Sequence, residues 1–390
     1  RDLYARASAF ADGLRENGIT TGDTVALHLP NGVWFPIAYF GTLLSGAAAC
    51  LANPLQPSAA LRAQLADAGA TAAVTHPAHA SSLTVADLPL KLVAVTPPTA
   101  CAPAPHPAGQ PADPVRFSVD ARTLLDRVRV GTPPTVPPDS LAHLAYTGGT
   151  TGTPKAVRVS HRNVVANIVQ IASWRTGWVP EPDGHGCVTL RPTPVADAYP
   201  LRPGRDVAVL VPPLYHAHAL IHLGFMLLSG MSVVILGRFD ADRLLDAVDR
   251  HRAAYLTGSP TVWHALRGAD ISRRALSSVR CIVSGSAPAD PPTLRWLAET
   301  FPNAVVLEGY GLTEATCTTH SNPAARPARR KHGSVGLPLR RIRLDARRDE
   351  RRLLPGDGPV HVQPGRPGLD PGGPRRDAGK RLRRSVARPR

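Results

Sequence analysis

Short apolar runs of strand character alternate with runs of helical periodicity along most of this chain, and that alternation limits the fold more than any other feature. Strands are expected over 24–29, 71–75, 91–96, 141–146 and 156–159, and again over 206–211, 232–236, 253–257, 279–284 and 304–307. Helical patterns fall at 33–50, 58–68, 219–228, 241–252, 261–267 and 291–301, with Gly69 closing the second of them. Ser160 is placed to cap a further helix on which Val164, Val165, Ile168 and Ile171 share one face. A Pro- and Ala-rich stretch over 97–138 reads as a surface excursion, and a second polar, Pro-rich break covers 180–205. Strand–helix alternation builds parallel sheets covered on both faces, so the fold class is α/β, in two such layers. Ligands of such sheets sit at loops beyond the strand C-termini.

The chain has 390 residues, room for one large α/β domain or two to three smaller units. With 43% hydrophobic and 19% charged residues it can fill a core, and a mean hydropathy of -0.09 fits neither a disordered nor a polytopic membrane chain. Two apolar stretches, 33–50 and 217–236, are read as buried helix, or helix then strand, rather than as membrane spans; His218, His222 and Gly230 interrupt the second. Cys50, Cys101, Cys187, Cys281 and Cys317 are odd in number and scattered, with no ligand spacing, which argues against a disulfide framework or a zinc site. A reducing cytoplasm is the expected setting, and no secretory signal pattern is present.

The net charge of +16 is concentrated at one end. From Arg340 to Arg390 there are 15 Arg and one Lys against five Asp and one Glu, a net +10, with seven Pro, seven Gly and no Phe, Trp or Tyr. Such a segment has little apolar surface to offset the entropy of ordering, so it is expected to be poorly structured. Its basic character invites a nucleic-acid reading, but it lacks aromatics to stack bases and any finger or RNP signature, so no specific nucleic-acid partner is expected.

Tyr146-Thr147-Gly148-Gly149-Thr150-Thr151-Gly152-Thr153-Pro154-Lys155 lies between two expected strands. Its glycines allow close backbone approach, its threonines offer hydroxyl donors and Lys155 adds a cation, a combination suited to a polyphosphate. The Gly-Lys-Ser/Thr ending of a Walker A loop is missing.

This TGGTTGTPK string, followed by Ser160-His161-Arg162-Asn163, resembles the phosphate-binding loop of the adenylate-forming superfamily of acyl- and aryl-CoA ligases, luciferases and adenylation domains. Glu308-Gly309-Tyr310-Gly311-Leu312-Thr313-Glu314 is similar to its second signature, and Gly333-Ser334-Val335-Gly336-Leu337-Pro338 to the segment after that. Residues 212–220 (PPLYHAHAL) resemble the region of the acyl-pocket histidine, and Ser284-Gly285-Ser286-Ala287-Pro288 the adenine-side loop. The resemblance implies the large AMP-binding domain of the adenylate-forming fold over residues 1–338, made of two layered α/β subdomains with doubly covered sheets. It implies ATP, Mg²⁺ and CoA as cofactors and a fatty or other hydrophobic carboxylic acid as substrate. The acid would be activated as an acyl-adenylate and then transferred to CoA.

By the same resemblance, Thr147, Gly148, Gly149, Thr150, Thr151, Gly152 and Lys155 hold the ATP phosphates. Gly285, Ser286, Ala287 and Pro288 flank the adenine, Tyr310 stacks on it beside Gly311, Thr313 contacts the α-phosphate, Glu314 binds Mg²⁺ and His216 faces the acyl group. These roles suit the chemistry: a carboxylate attacking an anionic phosphate needs charge neutralisation and positioning, and a hard cation on one glutamate supplies both. His161 and Arg162 are read as capping and positioning the helix.

Beyond Pro338 the chain departs from the family. The third-subdomain strands, the Thr-Gly-Asp ribose segment, the hinge arginine and the small C-terminal domain should follow, and instead the Arg/Pro/Gly-rich tail of 339–390 begins. Pro355-Gly356-Asp357 and the stretch around Lys380 are loosely like the ribose and catalytic-lysine segments but lie too close to Glu314. The expectation is a chain truncated at both ends, its frame lost near Leu339, with adenylation slowed and thioester formation absent. The alternatives are a non-catalytic remnant that binds ATP or acyl-adenylate, and a basic-tailed RNA-binding protein.

Overall fold

The expected alternation forms two seven-stranded sheets. The computed structural model of the chain describes residues 2–83, 88–98, 118–126, 132–148, 154–184, 187–331 and 333–339. Cys101 and the tail from residue 340, with Asp357 and Lys380, lie outside the described residues. Helix α1 (Asp2–Glu16) leads into β1 (Thr24–His28), α2 (Trp34–Ser45), β2 (Ala48–Leu51), α3 (Ser58–Asp67), β3 (Ala72–Thr75), β4 (Leu92–Val95) and β5 (Ser118–Asp120). A hairpin of β6 (Leu141–Thr147) and β7 (Lys155–Ser160) comes next, then α4 (His161–Thr176) and a two-stranded sheet of β8 (Trp178–Pro182) and β9 (Val188–Pro192). The second half runs β10 (Val207–Leu210), α5 (Ala217–Leu228), β11 (Ser232–Ile235), α6 (Ala241–His251), β12 (Tyr255–Gly258), α7 (Pro260–Arg267), β13 (Cys281–Ser284), α8 (Pro291–Thr300) and β14 (Val305–Gly311). The short strands β15 (Thr318–Ser321) and β16 (Leu337–Pro338) close it.

The first sheet is ordered β5-β4-β3-β1-β2-β6-β7 and the second β11-β10-β12-β13-β14-β15-β16. Each contains the same parallel five-strand unit, in which the first strand lies between the second and the third, with the fourth and fifth beyond. Winding therefore reverses beside the first strand of each unit, and the loops leaving the first and third strands diverge. That opens a crevice at their C-terminal ends, between β1 and β3 in one sheet and between β10 and β12 in the other.

The layers share one hydrophobic core to which α2, α4 and α5 all contribute, among them Phe35, Ile171 and Phe225. The buried side chain of Asn31, just past β1, links the layers at the strand ends. Its Nδ2 donates to the carbonyls of Pro212 at 3.0 Å and Leu236 at 3.1 Å, and its Oδ1 accepts from Leu214 N at 2.8 Å. Among the described residues no helix is long and apolar enough to cross a membrane.

Several expectations are corrected. The helical run at 33–50 stops at Ser45, because Gly46 turns left-handed at φ 90° and returns its N–H to Leu43 O; Ala48–Leu51 then becomes a strand inside the first sheet. The stretch 97–138 is not all surface excursion. Its β5 extends the sheet parallel to β4, and Ala121 and Leu124 after it are buried. The break at 180–205 contains the β8–β9 hairpin. Val165 is 45% exposed, and Asn167 and Val169 lie buried on α4 beside Val164 and Ile171. Neither sheet is wholly parallel: β6–β7 and β14–β15–β16 pair antiparallel, the β6–β7 and β14–β15 connections being too short for a crossover.

Candidate active site

The β6–β7 hairpin brings the two ends of the glycine string together, pairing Thr147 directly with Lys155. Thr147 is half-buried, Gly148 and Lys155 are exposed, and Gly149, Thr150, Thr151 and Gly152 lie outside the described residues. The base of the hairpin is anchored by Tyr146, whose hydroxyl donates to Asp67 Oδ2 at 2.6 Å and to Gln64 O at 3.3 Å. Burial and the Asp67 carboxylate push that phenol's pKa up, so it stays a donor. Beyond β7, Ser160 Oγ accepts from Asn163 N at 3.3 Å and caps α4. Arg162 makes a bidentate pair with the exposed Asp139, at 2.6 and 3.1 Å, and His161 N bonds Ser140 O. Both residues position the helix.

Strand β14 pairs Glu308 with Ser284 at the end of β13 and runs on into antiparallel pairing with β15, an extension that carries Gly309, Tyr310 and Gly311. The chain then makes a single 3-10 turn, Thr313–Ala315. The turn is tight: Leu312 N bonds Cys317 O at 2.9 Å, Thr316 sits at φ 75°, and a Cβ on Gly311 would stand 1.8 Å from Cys317 O. Only glycine fits there. The turn packs beside β7, so Glu314 stands next to the strand that begins with Lys155. Glu314 is exposed, with no ion-pair partner among the described residues, while Tyr310 leaves 46% of its surface open and Thr313 is half-buried.

Among the described residues no three His, Cys, Asp or Glu side chains converge to hold a metal. The exposed Glu314 carboxylate, without an ion-pair partner among the described residues, is no cage for a structural metal. It does fit Mg²⁺, which takes one or two carboxylates and completes its shell with phosphate oxygens and water.

The carbonyl edge of the second sheet supplies the other wall. After β13, Gly285 is buried with its N–H on Gly258 O at 3.0 Å, while Ser286, at φ 68°, and Ala287 and Pro288 are exposed. His216 caps the start of α5, exposed, its ring 4.6 Å from that of Tyr215. In the first turn, His218 meets the loop: its Nδ1 lies 2.7 Å from Ser286 Oγ and its Nε2 2.8 Å from Thr257 Oγ1 at the end of β12. Burial lowers the His218 pKa to about 3, helped by the cationic Arg175, so the ring is neutral at neutral pH. Arg175 is itself buried, its guanidinium 5.4 Å from the Phe225 ring centre and 5.6 Å from that of Tyr255, donating to the Tyr255 hydroxyl.

Buried amides fasten these parts to one another. Asn167 of α4 donates to Thr318 O at 2.8 Å and accepts from Thr318 N at 3.1 Å, so the helix after the glycine string holds the strand after the Glu314 turn. Asn322 Oδ1 accepts from Glu308 N at 2.7 Å, its Nδ2 donates to Ser334 O at 2.8 Å, and Trp174 Nε1 donates to its carbonyl at 2.9 Å. Glu308 Oε2 accepts from Gly333 N at 2.7 Å, which pins the Gly333–Pro338 segment to β14. Sequence reasoning named Thr147, Lys155, Tyr310, Thr313, Glu314, the Gly285–Pro288 loop and His216; the fold puts the first two opposite each other on β6–β7, the next three at and just after the end of β14, and the others after β13 and at the start of α5. It missed His218, Thr257, Asn167 and Asn322. The only signal for His218 was its place two residues after His216.

Comparison with known proteins bears on the same residues. A family model described as AMP-binding enzyme matches residues 1–366. The chain is 27% identical over 359 residues to a long-chain-fatty-acid–CoA ligase of Bacillus subtilis (strain 168), covering 86% of this chain and 59% of that protein. It is 31% identical over 352 residues to 4-coumarate–CoA ligase 5 of Oryza sativa subsp. japonica, covering 88% of this chain and 58% of that protein. Among solved structures it resembles a long-chain-fatty-acid-CoA ligase (FadD1) from Archaeoglobus fulgidus, with TM-score 0.70 at 20% identity over 87% of this chain and 61% of that one. It also resembles ATP-bound MatB from Rhodopseudomonas palustris, with TM-score 0.68 at 25% identity over 87% of this chain and 58% of that one. The chain thus spans less than two thirds of each of these proteins.

Proposed function

Because the chain belongs to the AMP-binding enzyme family and has the fold of the N-terminal domain of adenylate-forming enzymes, we propose that it supplies the nucleotide- and acid-binding part of an acid–CoA ligase. In that reaction a carboxylate oxygen of a fatty or other hydrophobic acid attacks the α-phosphorus of ATP. The bond to the β-phosphate breaks, pyrophosphate leaves, and the acyl-adenylate later passes its acyl group to the thiol of CoA as AMP departs.

The observation that carries this reading is the packing of the Thr313–Ala315 turn, which contains Glu314, beside β7, the strand that begins with Lys155. Thr147 to Lys155 would cradle the phosphates with backbone N–H groups, hydroxyls and the Lys155 ammonium. Tyr310 would lay its exposed ring on the adenine, with Gly285 to Pro288 on the other side, and Thr313 would donate to the α-phosphate. His216, at the mouth of α5, would face the acid. Mg²⁺ held by Glu314 would supply neutralisation of the departing pyrophosphate charge. ATP in the MatB structure and the fatty acids and 4-coumarate in the relatives' names support nucleotide and acid as the ligands.

The test is acid-dependent exchange of labelled pyrophosphate into ATP by the full chain. Exchange that requires a hydrophobic acid and is lost in Glu314→Ala supports the reading. Failure to bind ATP at all, or exchange that survives Glu314→Ala undiminished, overturns it.

A further inference from the structure

We propose that His218 is a positioning residue for the nucleotide, holding the Gly285–Pro288 loop in its receiving conformation through two ring hydrogen bonds; this deepens, and rests on, the proposed adenylating function. Three elements converge on this ring. It belongs to the first turn of α5, it bonds Thr257 at the end of β12, and it bonds Ser286 in the loop after β13. The first two follow or end β10 and β12, between which the winding of the second sheet reverses.

The loop needs such a tie. Ser286 is a non-glycine residue at φ 68°, a conformation L side chains avoid, and its bond to His218 is the only hydrogen bond of its side chain among the described residues. The ring also packs against the loop backbone: a Cβ on Gly285 would come within 3.3 Å of His218 Cε1.

The hydrogen bonds run on inward. Thr257 Oγ1 lies 3.4 Å from His222 Nδ1, and His222 Nε2 is buried with no partner among the described residues. A bare nitrogen lone pair is cheaper to leave there than an unpaired N–H, so His222 carries its proton on Nδ1 and donates to Thr257. The Thr257 hydroxyl then donates to His218 Nε2, and His218 Nδ1–H donates to Ser286 Oγ. In this order the Ser286 hydroxyl proton is left unused on the exposed side, as a donor facing the site. Of the titratable groups around the ring, burial lowers His216 and His222 as well, and the cationic Arg175 opposes protonation of His218, so that ring is neutral at neutral pH.

The experiment measures Mg·ATP affinity by titration calorimetry on the full chain for wild type, His218→Ala, His218→Asn, Ser286→Ala and the double alanine variant, with thermal midpoints alongside. Each alanine variant is expected to weaken Mg·ATP binding about tenfold, the loss of one hydrogen bond from the receiving loop. The double variant should be no weaker than either single one, because both cut the same link. His218→Asn, which keeps a donor near the Nδ1 position, should recover most of the affinity. Ser286 is exposed, so its variant reports even where His218→Ala folds poorly. Wild-type affinity in both alanine variants, or strictly additive losses, overturns this proposal alone. A wild-type chain that binds no Mg·ATP overturns the proposed function with it.

Discussion

The two sheets are built on the same five-strand order, yet the described residues at their two crevices differ. At corresponding positions of the two registers stand Thr75, opposite His28, and Thr257, opposite Leu210. Each threonine hydroxyl is bonded by a histidine: His28 Nδ1 to Thr75 at 3.0 Å in the first sheet, His218 Nε2 to Thr257 at 2.8 Å in the second. In the first sheet the short 3-10 helix of Pro77–Ser82 follows β3, its buried His79 ring stands 5.9 Å from that of His28, and His28, Thr75 and His76 are buried too. In the second sheet the corresponding bonds lead outward, through His218 to the exposed Ser286. Topology places a crevice in both sheets. The 3-10 helix after β3, with its buried His79, in one sheet and the exposed loop after β13 in the other set the two crevices apart.

This contrast can be broken or sharpened by substitution. The largest effect should come from Glu314→Gln, which keeps the size of the side chain and removes its charge. Pyrophosphate exchange should fall at least about a hundredfold, whereas His28→Asn in the first crevice should leave exchange by the remaining folded protein intact. Gly311→Ala should destabilise the fold by about 1–3 kcal/mol and abolish nucleotide binding, because its methyl would overlap Cys317 O; urea unfolding and calorimetry check both parts.

The closed crevice should declare itself in pH dependence. Burial, then the neighbouring His79, lower His28 to about 3, and burial lowers His143 to about 4, against 6.5 in the unfolded chain. The unfolded state therefore binds more protons below pH 6.5. Stability is full above that value and falls as pH drops, by about 1.4 kcal/mol per unit for each such histidine. Denaturation at pH 7 and pH 5 should show a shallower fall in His28→Asn than in wild type. The smallest effect is expected at Val165: it is 45% exposed, and Val165→Ser should shift stability by no more than about 0.5 kcal/mol.

The sequence made the strand–helix rhythm legible because buried parallel strands are continuous apolar runs, such as Val207–Leu210, and their helices carry caps and periodic faces. It failed where one residue's backbone decided the matter. The apolar run through 33–50 does not announce that Gly46 takes a left-handed turn and hands Ala48–Leu51 to the sheet. The candidate site offered itself to sequence reading where an ordered string stands, as from Thr147 to Lys155 and from Tyr310 to Glu314. It was illegible where single polar residues act across distance. Asn31, Asn167 and Asn322 each bond backbone more than a hundred residues away or on another strand, and nothing local marks them.

Amide hydrogen exchange of the full chain with and without Mg·ATP tests the central claim most directly. Protection on binding is expected in residues 147–155, 284–288 and 308–316, with no change at residues 75–82 over the closed crevice of the first sheet. Protection at 75–82, with none at 284–288 and 308–316, would contradict the account.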